Sequence, residues 1–267
     1  MSDTPLFPTL AVILAAGQGS RMRSTLPKVL HQVGNRPLLG HVLASSLAAD
    51  VDRLAVVIGP DQQAVADYVR QQAPEAQQFI QYERLGTAHA VLAAQPALQA
   101  HSEGCVLVLF GDSPLIGANT LARLRQALIG GAAVAVAGFV TSQPGPYGRL
   151  LTEGEWLLAI REAKDASPAE LEVQLCNGGV MGLRAEHCLG LLQRIGKANA
   201  QGEYYLTDAV ALANAAGLAV QVVEVAEEEV LGVNDPEQLQ AAEQIFQRRL
   251  RQQIAHNSHS EASAVNA

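Results

Sequence analysis

Residues 14–31 read LAAGQGSRMRSTLPKVLH and follow directly on a short apolar run, TLAVI, at 9–13. Two glycines, the small alcohol Ser20 beside them and three cations (Arg21, Arg23 and Lys28) crowd into a segment with almost no apolar periodicity. This is the pattern of a buried strand opening onto an anion site. Glycine permits positive φ and close backbone approach, so successive N–H groups can converge on a phosphate. Arginine adds a planar fork for phosphate oxygens. The two common phosphate loops are excluded: no GK followed by Ser or Thr occurs here, and Met22 stands at the third glycine position of GxGxxG. A plain glycine turn with solvated cations is the alternative for this loop taken alone.

Working outward, the runs at 54–59, 78–82 and 105–112 are also short and apolar, as buried parallel strands are. Between them, residues 37–49, 61–73, 87–100 and 118–129 space apolar side chains at three and four, which predicts amphipathic crossover helices. The alternation predicts an α/β protein with a doubly wound sheet and short loops. After residue 131 the texture changes. AAVAVAGFV, GRLLTE, WLLAIREA and NGGVMGLR are closely spaced strand candidates, predicting an antiparallel excursion or mixed-sheet lobe. Helices are expected again near 185–195 and 206–216, with a strand at 218–225. A closing helix is expected over about 235–254, with Asp235 as its N-cap and Pro236 at its first position. The small polar residues 255–267 are expected to fray.

Composition narrows the partners. The chain has 267 residues, 49% of them hydrophobic and 16% charged, with a formal net charge of −8. No basic face for nucleic acid is visible, so any anionic ligand must be held by local cations. Cys105, Cys176 and Cys188 form no CxxC pair, which argues for a reducing compartment and against a zinc site or disulfide framework. The start MSDTPLFPTL has no basic region of the signal-peptide kind. No apolar run approaches the roughly 18 residues that span a bilayer. A cytoplasmic location without membrane association is expected.

The loop does not stand alone. It is followed, in order, by RLGTAHA (84–90), LFGDSPLI (109–116), PYGR (146–149), REAKDA (161–166), NGG (177–179), NAQGEYYLTD (199–208) and GVND (232–235). This series resembles the sugar-nucleotide pyrophosphorylases. It is most similar to the uridylyltransferase half of the bifunctional N-acetylglucosamine-1-phosphate uridylyltransferase/glucosamine-1-phosphate acetyltransferases, over nearly the whole chain to about residue 250. The resemblance implies a three-layer Rossmann-like fold of the nucleotide-diphospho-sugar transferase kind, with a mixed central sheet and a small antiparallel sugar-side lobe. It divides the chain into a nucleotide-binding half at about 8–130, a sugar-binding half at about 131–235 and the closing helix.

The same resemblance implies a Mg²⁺-dependent transfer from UTP to N-acetylglucosamine 1-phosphate, giving UDP-N-acetylglucosamine and pyrophosphate. Arg21, Lys28 and Asp112 are then the catalytic residues, and Asp112 and Asn234 the metal ligands. Leu14, Ala15, Ala16, Gly17, Gln81, Gly86, Thr87, Phe110 and Gly111 fall at nucleotide-binding positions. Gly148, Glu162, Asn177, Tyr205 and Thr207 fall at sugar-binding ones. Each has a plainer alternative: Asp112 as a turn residue before Ser-Pro, Asn234 as a helix cap, Gln81 as a polar strand end whose amide could flip to suit cytosine. The DVD at 50–52 matches a glycosyltransferase DxD but reads as a solvated loop.

Some positions depart from the family strings. Phe110 replaces a tyrosine, Gly178 a threonine, Ala163 a histidine, Gln18 a lysine and Ser20 a threonine. Phe110 loses a hydroxyl beside the nucleotide, and Gly178 is expected to loosen the sugar wall. No stretch repeats aliphatic residues at intervals of six, so acetyl transfer and a β-helix trimer are not expected; a monomer or a dimer through the α/β domain is.

Overall fold

In the computed structural model, which describes residues 7–154 and 156–265, the run ahead of the glycine loop is the central strand β1 (Thr9–Leu14). The loop carries two 3-10 turns, Ser20–Met22 and Lys28–Leu30. A two-residue hairpin follows, β2 (Gln32–Val33) and β3 (Arg36–Pro37), then α1 (Leu38–Ala48), β4 (Arg53–Ile58), α2 (Gln63–Gln72) and β5 (Gln77–Ile80). The helix expected over 87–100 is two, α3 (Thr87–Ala93) and α4 (Gln95–Gln99). Pro96 has no N–H to continue α3, and its fixed φ suits the first turn of a new helix. β6 (Cys105–Phe110) and α5 (Ala118–Ile129) complete the first half. The second half holds β7 (Val134–Val140), β8 (Arg149–Glu153), β9 (Trp156–Arg161), α6 (Pro168–Leu171), β10 (Leu175–Arg184), α7 (Ala185–Leu192), α8 (Asp208–Ala215), β11 (Val220–Glu224) and α9 (Pro236–Val265).

The sheet order is β11-β7-β10-β6-β1-β4-β5. β1 pairs in parallel with both β4 and β6, β4 with β5, and β7 with β11; β10 runs antiparallel between β6 and β7. The sheet is therefore mixed. Within this sheet β8 and β9 lie off that path and form the antiparallel excursion, joined to β10 through Arg149 and Cys176. Burial explains the difference: the first six residues of β7 are all buried, whereas β9 alternates and belongs at an edge.

Three layers follow. On one face Leu39 and Val42 of α1, Val65 and Val69 of α2 and Leu121, Leu124 and Leu128 of α5 pack on the sheet. On the other lie Val91 of α3, Leu98 of α4, Leu191 and Leu192 of α7 and Val210 and Ala213 of α8. Among the described residues no helix is long and apolar enough to cross a membrane.

The closing helix packs beneath the glycine loop. Ala242 joins Met22, Val33, Leu38, Leu115 and Val233 in a small separate core. Glu243 Oε2 accepts from the Gly34 N–H at 2.7 Å, and the Phe246 ring meets His41 edge-on at 5.2 Å. α9 begins as expected but runs past residue 254 to Val265, since no Gly or Pro follows Pro236 to stop it. Residues 266 and 267 lie outside the described residues.

Gly34 sits at φ 54, and a Cβ there would stand 2.1 Å from the Phe246 ring. Gly34→Ala combines a left-handed penalty with a displaced ring. It is expected to lower the unfolding free energy by about 2 kcal/mol in urea titration.

Candidate active site

Because β1, β4, β5 and β6 are parallel, their following loops emerge at one edge, and reversed β10 brings its own start to the same place. A cavity of about 700 Å³ opens there, beside the β1–β6 pair where the strand order reverses. Leu14, Ala15, Ala16, Gly17, Arg21 and Lys28 line it from the loop after β1, and Gln81, Gly86 and Thr87 from the loop after β5. Phe110 and Asp112 line it from the end of β6, Gly148 and Glu162 from the ends of β8 and β9, Asn177 from β10, and Asn234 from the turn before α9.

Three expected residues do not line the cavity. Gly111 lies behind it, its N–H donating to the Leu14 carbonyl at 2.9 Å, with Val29 and Leu39 closing the space a side chain would need. Thr207 acts one step back, donating its hydroxyl to Glu162 Oε1 at 3.0 Å. Tyr205 is buried, and its hydroxyl has no hydrogen-bond partner among the described residues.

Lys28 stands at the centre. Its ammonium pairs with Asp112 Oδ2 and donates to Asn234 Oδ1 at 3.0 Å, with side-chain exposures of 11% for Lys28 and 16% for Asp112. The Val233 N–H donates to the Asp112 carbonyl at 2.9 Å, which ties the GVND turn to the end of β6. The helix-cap alternative for Asn234 falls away, since Asp235 Oδ1 accepts the Gln238 N–H and caps α9. A carboxylate oxygen and an amide oxygen thus converge on one cation position. They are hard oxygen donors of the kind magnesium takes, and a magnesium ion needs only one or two from protein. Among the described residues no group of three or more His, Cys, Asp or Glu side chains gathers for a metal. Substrate phosphates and water would have to complete the shell.

Gln81 holds a defined orientation. Its Nε2 donates to the Gly86 carbonyl at 3.3 Å and lies 3.3 Å from His89 Nδ1, while no protein donor meets Oε1 among the described residues. Turning the amide would set oxygen against oxygen at Gly86, so the free end is an acceptor. Next to it, the Thr87 hydroxyl oxygen accepts the Leu206 N–H at 2.9 Å, the Ala88 N–H donates to the Tyr204 carbonyl at 2.9 Å, and the Tyr204 N–H donates to the Leu85 carbonyl at 2.8 Å. These bonds bring Glu203 to the cavity wall.

Burial pushes the Glu162 carboxyl above its ordinary value, reinforced by Asp165 and Asp208 and opposed by the Thr207 hydroxyl. Burial also raises Asp208 and Tyr205. The cavity therefore draws its cations, Arg21, Lys28 and Arg84, from the first half of the chain, and carboxylates Glu162 and Glu203 from the second. Cations suit phosphates; carboxylates suit hydroxyls.

Arg84, Tyr147, Glu203 and Val230 also line the cavity and were not singled out from sequence. The first three lie inside the quoted motifs; Val230 carries no signal. It corrects one expectation. Gly178 does not loosen the wall, because a Cβ there would lie 2.8 Å from Val230 Cγ1 and 2.9 Å from the Ala137 carbonyl. The valine closes the space that the glycine leaves. Phe110 packs its ring against Gly179.

Cysteine chemistry is excluded as the source of a nucleophile: all three thiols are free and buried, and burial pushes Cys188 up to about 12. A basic glycine loop facing a carboxylate across the β1–β6 switch point instead defines a nucleotidyltransferase. Residues 11–261 match the MobA-like NTP transferase domain, and the chain belongs to that family. It is 54% identical over 244 residues to the protein named "Bifunctional protein GlmU" of Rhodopseudomonas palustris strain BisB5. Identity to the proteins of that name is 55% over 242 residues in Azorhizobium caulinodans and 54% over 251 residues in Xanthobacter autotrophicus strain Py2. These alignments cover 91%, 91% and 94% of this chain but only 54%, 54% and 55% of the relatives. The chain spans about half the length of the curated relatives it matches.

Glu162 gives a stability test. Its folded-state pKa is raised, so its charge costs nothing below the ordinary glutamate value and an increasing amount as pH rises through the folded value. Glu162→Gln is expected to raise Tm near neutral pH, with the gain vanishing below about pH 4. Thermal unfolding of both proteins across that range measures it.

Proposed function

We propose that the protein transfers a uridylyl group from UTP to N-acetylglucosamine 1-phosphate, releasing pyrophosphate and forming UDP-N-acetylglucosamine, with Mg²⁺ as cofactor. The observation that carries this reading is a single cavity in which an acceptor-presenting Gln81 and a hydroxyl-reading Glu162 share space with the Lys28–Asp112–Asn234 cluster. The family resemblance and the relatives support the choice of substrates.

Gln81 Oε1 accepts from the uracil N3–H, which cytosine lacks. The Leu14–Gly17 backbone, Gly86, Thr87 and Phe110 frame the nucleotide, with Gly111 packed behind them. On the sugar side, Asn177 Oδ1 accepts the Gly179 N–H at 2.9 Å, which leaves its amide protons to donate to a sugar oxygen. Glu162 accepts from hydroxyls, held by Thr207, while Gly148 forms part of the wall. The sugar-phosphate oxygen attacks the α-phosphorus in line, and that P–O bond forms as the bond to pyrophosphate breaks. The nucleophile is already anionic, so no protein group need take a proton. Arg21 and Lys28 bind the phosphates and stabilise the charge that builds on the departing pyrophosphate. Asp112 and Asn234 would hold Mg²⁺, which when bound neutralises phosphate charge.

Exchange of labelled pyrophosphate into UTP from UDP-N-acetylglucosamine, beside other UDP-sugars, tests the reading; no exchange with any of them would refute it. Asp112→Ala is expected to lower kcat on the order of 10³-fold at matched Mg²⁺, with Asn234→Ala less severe because an amide contributes less than a carboxylate.

Charge position gives a further test. Arg21 lines the cavity and Arg23 does not. Arg21→Ala and Lys28→Ala should each cut kcat/KM by about 10²-fold or more, and Arg23→Ala by less than about threefold. Equal losses at all three would mean that the loop acts by bulk charge.

A further inference from the structure

The glycine loop is held by two side chains to which the reaction scheme above gives no role: the cavity-lining Arg84 and, behind the loop, Gln62. Arg84 Nε donates to the Ala16 carbonyl at 2.9 Å, and Gln62 Nε2 donates to the Gly17 carbonyl at 3.1 Å. Gln62 is itself anchored, since its Oε1 accepts the Gly59 N–H at 2.7 Å and the residue is 8% exposed. It occupies the N-cap position of α2 without capping it, so its amide is committed to the loop instead. Gly59 makes the room: a Cβ there would stand 2.8 Å from Arg84 Nη2 and 3.2 Å from Gln62 Oε1.

The consequence follows from peptide geometry. In a trans peptide the carbonyl and the following N–H point in opposite directions, and the described residues contain no cis bond. Drawing the carbonyls of Ala16 and Gly17 toward β4 and β5 turns the N–H groups of Gly17 and Gln18 the other way. Neither N–H has a protein acceptor among the described residues, and the space beside Gly17 is open for 4 Å. A glycine-centred loop flips its peptides easily, and a flipped peptide would present a carbonyl to an incoming phosphate. We propose that Gln62 and Arg84 are positioning residues, which lock the peptides at 16–18 so that the loop offers N–H groups to the phosphates of the nucleotide. The proposal rests on the nucleotidyl-transfer reading for its ligand, but not on the identity of base or sugar.

The test uses inorganic pyrophosphate alone, with the full chain and no nucleotide. In wild type, the Gly17 and Gln18 amide resonances are expected to shift on pyrophosphate addition. Gln62→Met and Arg84→Met should each weaken pyrophosphate binding about tenfold, the worth of one hydrogen bond, and shrink both shifts. Arg84→Lys, which keeps a donor and the charge, should recover part of the loss. Arg84 is exposed, so its variants keep the test open if Gln62→Met does not fold. Loss in Arg84→Met with wild-type binding in folded Gln62→Met would make Arg84 a direct phosphate ligand and overturn the proposal. So would wild-type binding and shifts in both variants. Wild-type amides that ignore pyrophosphate would overturn it too, and pyrophosphate exchange by that same protein shows whether the functional reading survives.

Discussion

Everything at the active edge depends on the pairing of β1. It is buried along its first five residues and bonded in parallel to β4 on one side and β6 on the other. Parallel neighbours cannot be joined by tight turns, so each return crosses over through a helix. The loops that follow the strands must then emerge together. The glycine loop, the end of β6 and the loop after β5 meet for this reason, although far apart in the chain. The single reversal, β10, adds the residues around Asn177 to that edge.

An acidic protein that handles polyanions must do so by placement. The chain carries a net charge of −8, yet Arg21, Lys28 and Arg84 all reach one cavity. Lys28 is largely withdrawn from solvent, where screening is weak and a nearby charge counts for more than a distant surplus of the other sign. Asp112 and Asn234 hold it there through one carboxylate and one amide oxygen.

The two sides of the cavity differ in which polar groups they leave open. Around the glycine loop, the Ala16 and Gly17 carbonyls are bonded to Arg84 and Gln62, while the Gly17 and Gln18 N–H groups have no protein acceptor among the described residues. Toward Glu162, the Tyr205 hydroxyl and one oxygen of Asp165 are buried without partners among the described residues, and burial raises the Glu162 and Asp208 carboxyls above their ordinary values. Native interiors keep few such groups, and shifted acids gather at functional sites.

Much of this was legible along the chain. Apolar runs mark β1 and β6, spacing at three and four marks α5 to the residue, and Asp235 and Pro236 announce α9, because these are local properties of strands, helices and caps. The motifs also named most of the cavity's residues. What they left open is mostly long-range. The orientation of Gln81 is set by Gly86, five residues on. That Asn234 turns to Lys28, 206 residues away, and that Gly178 leaves no gap because Val230 fills it are decided across the fold. The same holds for β10 between β6 and β7. Local sequence determined which segments become strands and helices and which residue types cluster in loops. Only the tertiary structure decided how they meet, because strand order and close packing are set by partners that no local pattern encodes.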